Sequence, residues 1–158
     1  MSRKRNNRWS RSFHAAACGI AAAVGQERNL RFHLVAAAGV CYLRAYFPLS
    51  KGQDAALILT VALVLALELI NTAIERAVDL CCDQYHPLAK AAKDIAAGAV
   101  LVGAVAAIFV GLRLFWDPAL LWQIVQLHLA SPIRLVFVAL AAALGIWFVA
   151  GFSKDRPS

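Results

Sequence analysis

The chain is built from long apolar runs separated by short polar breaks, and the runs are too long for strands or for the helices of an ordinary soluble domain. Four of them, 30–49, 55–80, 95–116 and 133–152, reach the roughly 17–25 residues that carry a helix across about 30 Å of hydrocarbon. The breaks carry stop and start residues. Gln26, Glu27, Arg28 and Asn29 precede the first run, Pro48 closes it, and residues 50–54 form a turn in which Asp54 is placed to cap the next helix. A loop is expected over 81–92, and Asp117 with Pro118 ends the third run. Residues 9–25 follow a basic start and mix small apolar with polar groups, too weakly hydrophobic to insert alone, which predicts a helix lying on the membrane surface. Residues 120–130, with Trp122, Gln123, Gln126 and His128, predict a second interfacial piece. The expected fold is therefore an all-α polytopic helical membrane protein with an N-terminal interfacial helix, three core spans and an extra C-terminal span. Three regions follow: 1–28 as basic arm and interfacial helix, 29–116 as the three-span core, and 117–158 as outer segment and additional transmembrane helix.

Composition agrees, with 61% hydrophobic and only 16% charged residues among 158. The net charge of +7 sharpens the topology. Arg3, Lys4, Arg5, Arg8 and Arg11 precede every span, and with Arg28, Arg31, Arg76, Lys90, Lys93, Lys154 and Arg156 they put twelve of the sixteen Lys/Arg at one set of helix ends. Arg44, Lys51, Arg113 and Arg134 lie at the other. The excess of basic residues marks the cytoplasmic side, so both termini and the 81–92 loop are expected inside. Beside four spans, the basic arm reads as topology signal and anionic-lipid contact, and nucleic acid is not an expected partner. Cys18, Cys41, Cys81 and Cys82 lack zinc-ligand spacing and read as small apolar filler. No apolar run precedes Cys18, so no cleaved signal peptide is expected.

Polar chemistry concentrates in the second run. In Glu68-Leu-Ile-Asn71-Thr72-Ala-Ile-Glu75-Arg76-Ala-Val-Asp79, the side chains of Glu68, Asn71, Glu75 and Asp79 fall within roughly 80° of one another around a helix. Each ionisable group inside a membrane costs about 2.5–3.5 kcal/mol even on the lower scales, so the default reading is a functional site. At about 1.5 Å per residue, Glu68 lies inside the hydrocarbon near its cytoplasmic edge and Glu75 at the edge itself. Glu27, Asp79, Lys93 and Asp94 belong to the same thin layer, where a lipid's polar head meets a cytosolic reagent. Paired carboxylates suit a hard cation such as magnesium, which takes one or two of them with substrate phosphates completing its shell. Lys93 offers positive charge to phosphate oxygens. Desolvation disfavours the charged form of the deeper Glu68, which makes it a candidate general base. Phosphoryl transfer asks for little beyond positioning, charge neutralisation and a proton acceptor.

Other readings are open. Each carboxylate taken alone could be interhelical glue to Arg28, Arg76 or Lys93, and the set could serve a membrane proton or cation pathway. Against a pathway, no acidic group continues across the other spans. No G-x-x-x-x-G-K-[ST] or G-x-G-x-x-G string is present, so nucleotide binding would not use those loops. Ala99, Gly103, Ala107 and Gly111, at four-residue steps, form a small-residue ridge for close helix packing.

Three strings resemble one family: Glu27-Arg-Asn-Leu-Arg-Phe-His33, the 68–79 string, and Tyr85-His-Pro-Leu-Ala-Lys-Ala-Ala-Lys-Asp94 with Ala-Ala-Gly98 behind it. They resemble the prokaryotic diacylglycerol kinases, which include the undecaprenol kinases, over about 12–116. The resemblance implies a small helical enzyme of the bacterial inner (plasma) membrane, usually a homotrimer, that moves the γ-phosphate of MgATP to a lipid alcohol at the cytoplasmic face. It implies Glu68 as general base with Asn71 as a partner that helps position it or the substrate, Glu27 and Glu75 as magnesium ligands, and Asp79, Tyr85, His86, Lys93 and Asp94 as nucleotide and phosphate contacts. Relatives often carry an aromatic and a basic residue where this chain has Ala15 and Cys18, and the span after Pro132 exceeds the three-span pattern. The 27–33 string looks more like the undecaprenol branch than the diacylglycerol branch.

Overall fold

A computed structural model describes residues 3–82 and 84–151; Asp83, Phe152, Lys154 and Arg156, which entered the expectations above, lie outside the described residues. The described residues form six helices and no strand: α1 (Arg3–Gln26), α2 (Arg28–Arg44), α3 (Lys51–Cys81), α4 (Pro87–Phe115), α5 (Pro118–Leu129) and α6 (Pro132–Ala150). Among them α3, α4 and α6 are long and apolar enough to cross a membrane. The chain is a multi-pass helical membrane protein.

The helix ends explain where the expected boundaries moved. Glu27 alone separates α1 from α2, in an extended conformation (φ −101°, ψ 115°). The run expected over 30–49 folds as the 17-residue α2 followed by a tight turn in which Ala45, Tyr46 and Phe47 donate to the carbonyls of Tyr42, Leu43 and Arg44. At about 1.5 Å per residue α2 is about 26 Å long, the shortest of the core helices, with Arg28 and Arg44 as its terminal residues. Asp54 does not cap α3. Ser50 does, in a reciprocal capping box with Gln53, because it stands one residue before the helix where its hydroxyl reaches the Gln53 amide. Asp54, already inside the first turn, forms an ion pair with Arg44 and closes the α2–α3 connection. The loop expected over 81–92 is shorter, because Pro87 occupies the first turn of α4 and His86 caps it by accepting from the Leu88 amide at 3.2 Å.

α3 and α4 pack as a long antiparallel hairpin, the most extensive helix pairing in the chain. Of the small-residue ridge on α4, Gly103 is the point of closest approach: a Cβ there would stand 2.6 Å from a methyl of Leu67, whereas nothing lies within 4 Å of one at Gly111. α2 packs on α3, and α6 runs antiparallel along α2, with Val35 3.0 Å from the position of a Cβ on Gly145. The end of the bundle away from Glu27 is sealed by Phe47, Leu57 and Phe115, the two phenyl rings edge to face at 5.0 Å, with Leu120, Leu121 and Ile124 of α5 over them. Large apolar side chains such as Leu59, Leu63, Leu101 and Phe137 stay exposed, as they must on surfaces that face lipid or another subunit.

Replacing Gly103 by Val forces two branches into the space of Leu67. The expected result is a loss of about 1–3 kcal/mol in the stability of the α3–α4 pair, read as a lower melting midpoint of the purified protein in detergent. Gly111→Val, into open space, is expected to leave the midpoint unchanged.

Candidate functional site

The polar stripe on α3 is graded in depth. Glu68 is 3% exposed, Asn71 and Thr72 are buried beside it, Glu75 is half-buried and Asp79 is exposed. On the same face toward the sealed end come Val64 and Leu57, both buried and apolar. The acids therefore stop at Glu68, and no polar path continues from it along this face.

Within the stripe, Asn71 donates its amide nitrogen to a Glu75 carboxylate oxygen at 2.8 Å. A carboxylate only accepts, so this bond fixes which way the amide points. Its oxygen, Oδ1, is left buried without a hydrogen-bond partner. An unpartnered buried acceptor costs about 1–3 kcal/mol, a cost that sites retain where a ligand completes them.

The one-residue break between α1 and α2 delivers Glu27 to the same place. Its side chain makes no cap bond to α2 and turns toward α3, where Arg76 lies 3.9 Å from its carboxylate and donates to Gln26 at 2.8 Å. A cavity of about 380 Å³ results, lined by Glu27, Arg28 and Asn29 on one side and Asn71 and Glu75 on the other. Glu68 is buried beside it, and the charges that act on it are those of Glu27 and Glu75.

Farther out, the α3–α4 connection encloses a second cavity of about 340 Å³ lined by Asp79, Tyr85, His86, Lys90 and Lys93. Lys93 is ion-paired with Asp79 across the hairpin. Asp94 does not line this cavity; it pairs with Lys90 one turn before it on α4. The expected site residues thus fall into two adjoining groups: Glu27, Asn71 and Glu75 with the buried Glu68, and Asp79, Tyr85, His86 and Lys93, with Asp94 at the margin.

No cluster of three or more His, Cys, Asp or Glu able to hold a metal occurs among the described residues. Two carboxylates and the unpartnered Asn71 oxygen nevertheless make a set of hard oxygen donors, which suits magnesium that keeps most of its shell for water and phosphate. A transition metal preferring imidazole or thiolate finds no such set here.

Sequence reasoning missed Arg31, counted only as a topology charge. It is 1% exposed and donates to the carbonyls of Val24 at 3.0 Å, Gly25 at 3.3 Å and Val149 at 3.5 Å. These are last-turn carbonyls of α1 and α6, so one guanidinium stands at the negative ends of two helices. The signal was available: an arginine inside an apolar run is a site candidate for the same reason that Glu68 is.

Comparison with known proteins identifies relatives of the chain. The prokaryotic diacylglycerol kinase family matches residues 14–115. An undecaprenol kinase of Bacillus subtilis is 46% identical over 109 residues, 69% of this chain and 89% of that protein. A diacylglycerol kinase of Synechocystis is 46% identical over 110 residues, 69% of this chain and 63% of the relative, and that of Escherichia coli is 32% identical over 99 residues, 63% and 81%. No solved structure matches this chain.

Because Asn71 carries an unsatisfied oxygen, Asn71→Leu, of nearly the same shape, is expected to leave stability unchanged or raise it by about 1 kcal/mol. Thermal melting in detergent checks this; a fall of several degrees would show that the amide is there for the fold.

Proposed function

The chain belongs to the prokaryotic diacylglycerol kinase family, and on that premise we propose that it transfers the γ-phosphate of MgATP to a membrane lipid alcohol, undecaprenol in preference to diacylglycerol, at the cytoplasmic face of the bacterial inner membrane. That it is a lipid kinase, a phosphotransferase with an alcohol acceptor, follows from the family and its named relatives. Relatives bearing both substrate names match at equal identity, so the preference for undecaprenol rests on the Glu27-to-His33 string.

The observation that carries the reading is the depth gradient on α3 facing Glu27. A lipid hydroxyl arrives from the hydrocarbon side and a nucleotide from the aqueous side, and the gradient offers each the group it needs. Glu68, deepest, takes the hydroxyl proton as the oxygen attacks phosphorus. Glu27 and Glu75 with the Asn71 oxygen would hold magnesium, which supplies neutralising charge to the phosphates. Asn71 keeps Glu75 turned toward the cavity. Lys93 exchanges its Asp79 partner for phosphate oxygens, and Tyr85 and His86 border the nucleotide in the outer cavity. The exposed apolar faces of α3 and α4 are compatible with the homotrimer that the family resemblance implies.

The test gives the purified protein MgATP with undecaprenol and diacylglycerol in parallel. Glu68→Gln is expected to lower turnover by about 100-fold or more with nucleotide affinity retained; undiminished turnover removes Glu68 from the mechanism. Glu75→Gln is expected to raise the magnesium concentration for half-maximal rate by about 10–100-fold. An unchanged magnesium titration counts against ligation there. Phosphorylation of neither lipid by the wild type overturns the proposed substrates.

A further inference from the structure

The family match ends at Phe115, yet α6 returns to the site. Its C-terminal turn stands beside the N-terminal turn of α2, and between them lies a cavity of about 480 Å³ lined by Arg28, Asn29, Phe32, Val149 and Ala150. We infer that this α2–α6 cavity is a subsite for the part of the lipid substrate's hydrocarbon chain next to the reacting hydroxyl, with α6 as a wall that the family-matched core does not provide. The inference rests on the lipid-kinase reading above.

Three observations support it. First, the cavity adjoins the site: Arg28 and Asn29 line both it and the cavity lined by Glu27, Asn71 and Glu75. Second, its lining runs from the polar Arg28 and Asn29 at the start of α2 to the apolar Phe32 one turn further along the same helix, with Val149 and Ala150 of α6, both apolar, forming the far wall. A molecule with a polar end toward Glu27 and an apolar chain behind it matches that order, and the volume lies within the range of about 300–1,000 Å³ typical of ligand cavities. Third, the far wall is held in place. Arg31, buried, ties the Val149 carbonyl to the last turn of α1, and the close approach of Val35 to Gly145 packs α6 on α2 one turn deeper. A wall fixed at two points can exclude a chain that does not fit. An anionic bilayer lipid held by Arg28 is the competing occupant, but among the described residues Arg28 is the one charged side chain that lines the cavity, and three of the five lining residues are apolar.

The test measures KM for undecaprenol and for MgATP with the full chain in phosphatidylcholine vesicles, with and without phosphatidylglycerol. Val149→Trp, which fills the cavity and keeps the carbonyl that Arg31 uses, is expected to raise the lipid KM about tenfold or more while the MgATP KM stays within about twofold. Ala150→Leu serves if the Trp variant does not fold, with an effect in the same direction. Leu140→Trp, on an exposed part of α6, is the control and is expected to change neither constant. An unchanged lipid KM in the cavity variants, or an equal rise in Leu140→Trp, overturns the subsite and leaves the kinase reading standing. A rise seen only with phosphatidylglycerol assigns the cavity to an anionic bilayer lipid and also overturns it. Failure of the wild type to phosphorylate the lipid is the separate failure of the kinase reading itself.

Discussion

The cost of placing Glu68 on a membrane-crossing helix governs much of this molecule. A carboxylate 3% exposed on a membrane-crossing helix is tolerated only near a boundary, where water and compensating groups are within reach. The polar interior is accordingly confined to one end, where the start of α2, the last turns of α3 and the start of α4 converge. The other end is closed by Phe47, Leu57 and Phe115. This polarity of the bundle is what distinguishes a site at the membrane surface from a path across it.

The convergence also depends on a feature with no apolar content, the single extended residue between α1 and α2. If α1 continued into α2 as one helix, Glu27 would fall wherever the helix phase put it. A one-residue break instead makes Glu27 the turning point, and Arg76 draws that corner onto α3. The outer cavity is assembled differently. There the α3–α4 hairpin sets Asp79 opposite Lys93, and their ion pair holds charged groups in register that phosphate oxygens would otherwise need to organise. Exposed pairs of this kind contribute little to stability, about 0–1 kcal/mol, so the proposed exchange of one partner for phosphate would be inexpensive.

Much of this was legible in the sequence. Three of the four expected spans, those of α3, α4 and α6, follow from hydropathy because every backbone polar group in hydrocarbon must be satisfied within a helix. The run at 30–49 instead folds as the 17-residue α2, which is not among the helices long and apolar enough to cross. The acidic stripe follows from helical period alone. Depth arithmetic put Glu27, Glu75, Asp79, Lys93 and Asp94 in one layer, and the structure brings all of them to one end. What the sequence did not disclose depends on a single bond or cap. The competition between Ser50 and Asp54 for the α3 N-terminus is decided by one residue of register, and the start of α4 by Pro87. The orphaned Asn71 oxygen exists only because Glu75 claims the amide nitrogen. The partners of Arg31 were hidden for a related reason: although its place in an apolar run marked it, backbone carbonyls have no sequence signature.

Arg31 also explains how two helices outside the family match can be added without a new core. α5 and α6 bury no residue fully, and beyond the partial burial of Leu120, Leu121 and Ile124 against the sealed end, hydrophobic burial within the chain does little to fix them. Polar contacts to α2 do so at both ends. At the sealed end Tyr46 donates to Tyr42, Tyr42 to Nε2 of His128, and Nδ1 of His128 to the Ile124 carbonyl, at 3.0, 2.6 and 2.6 Å. At the site end Arg31 donates to Val149. Directional bonds of this kind specify register where lipid-facing side chains cannot, since hydrocarbon tails solvate an apolar helix face about as well as another helix does. An appended helix pinned by the guanidinium that also ends α1 is mechanically part of the corner that presents Glu27. Its C-terminal turn therefore borders the proposed site although no ionisable residue lies in α6 beyond Arg134.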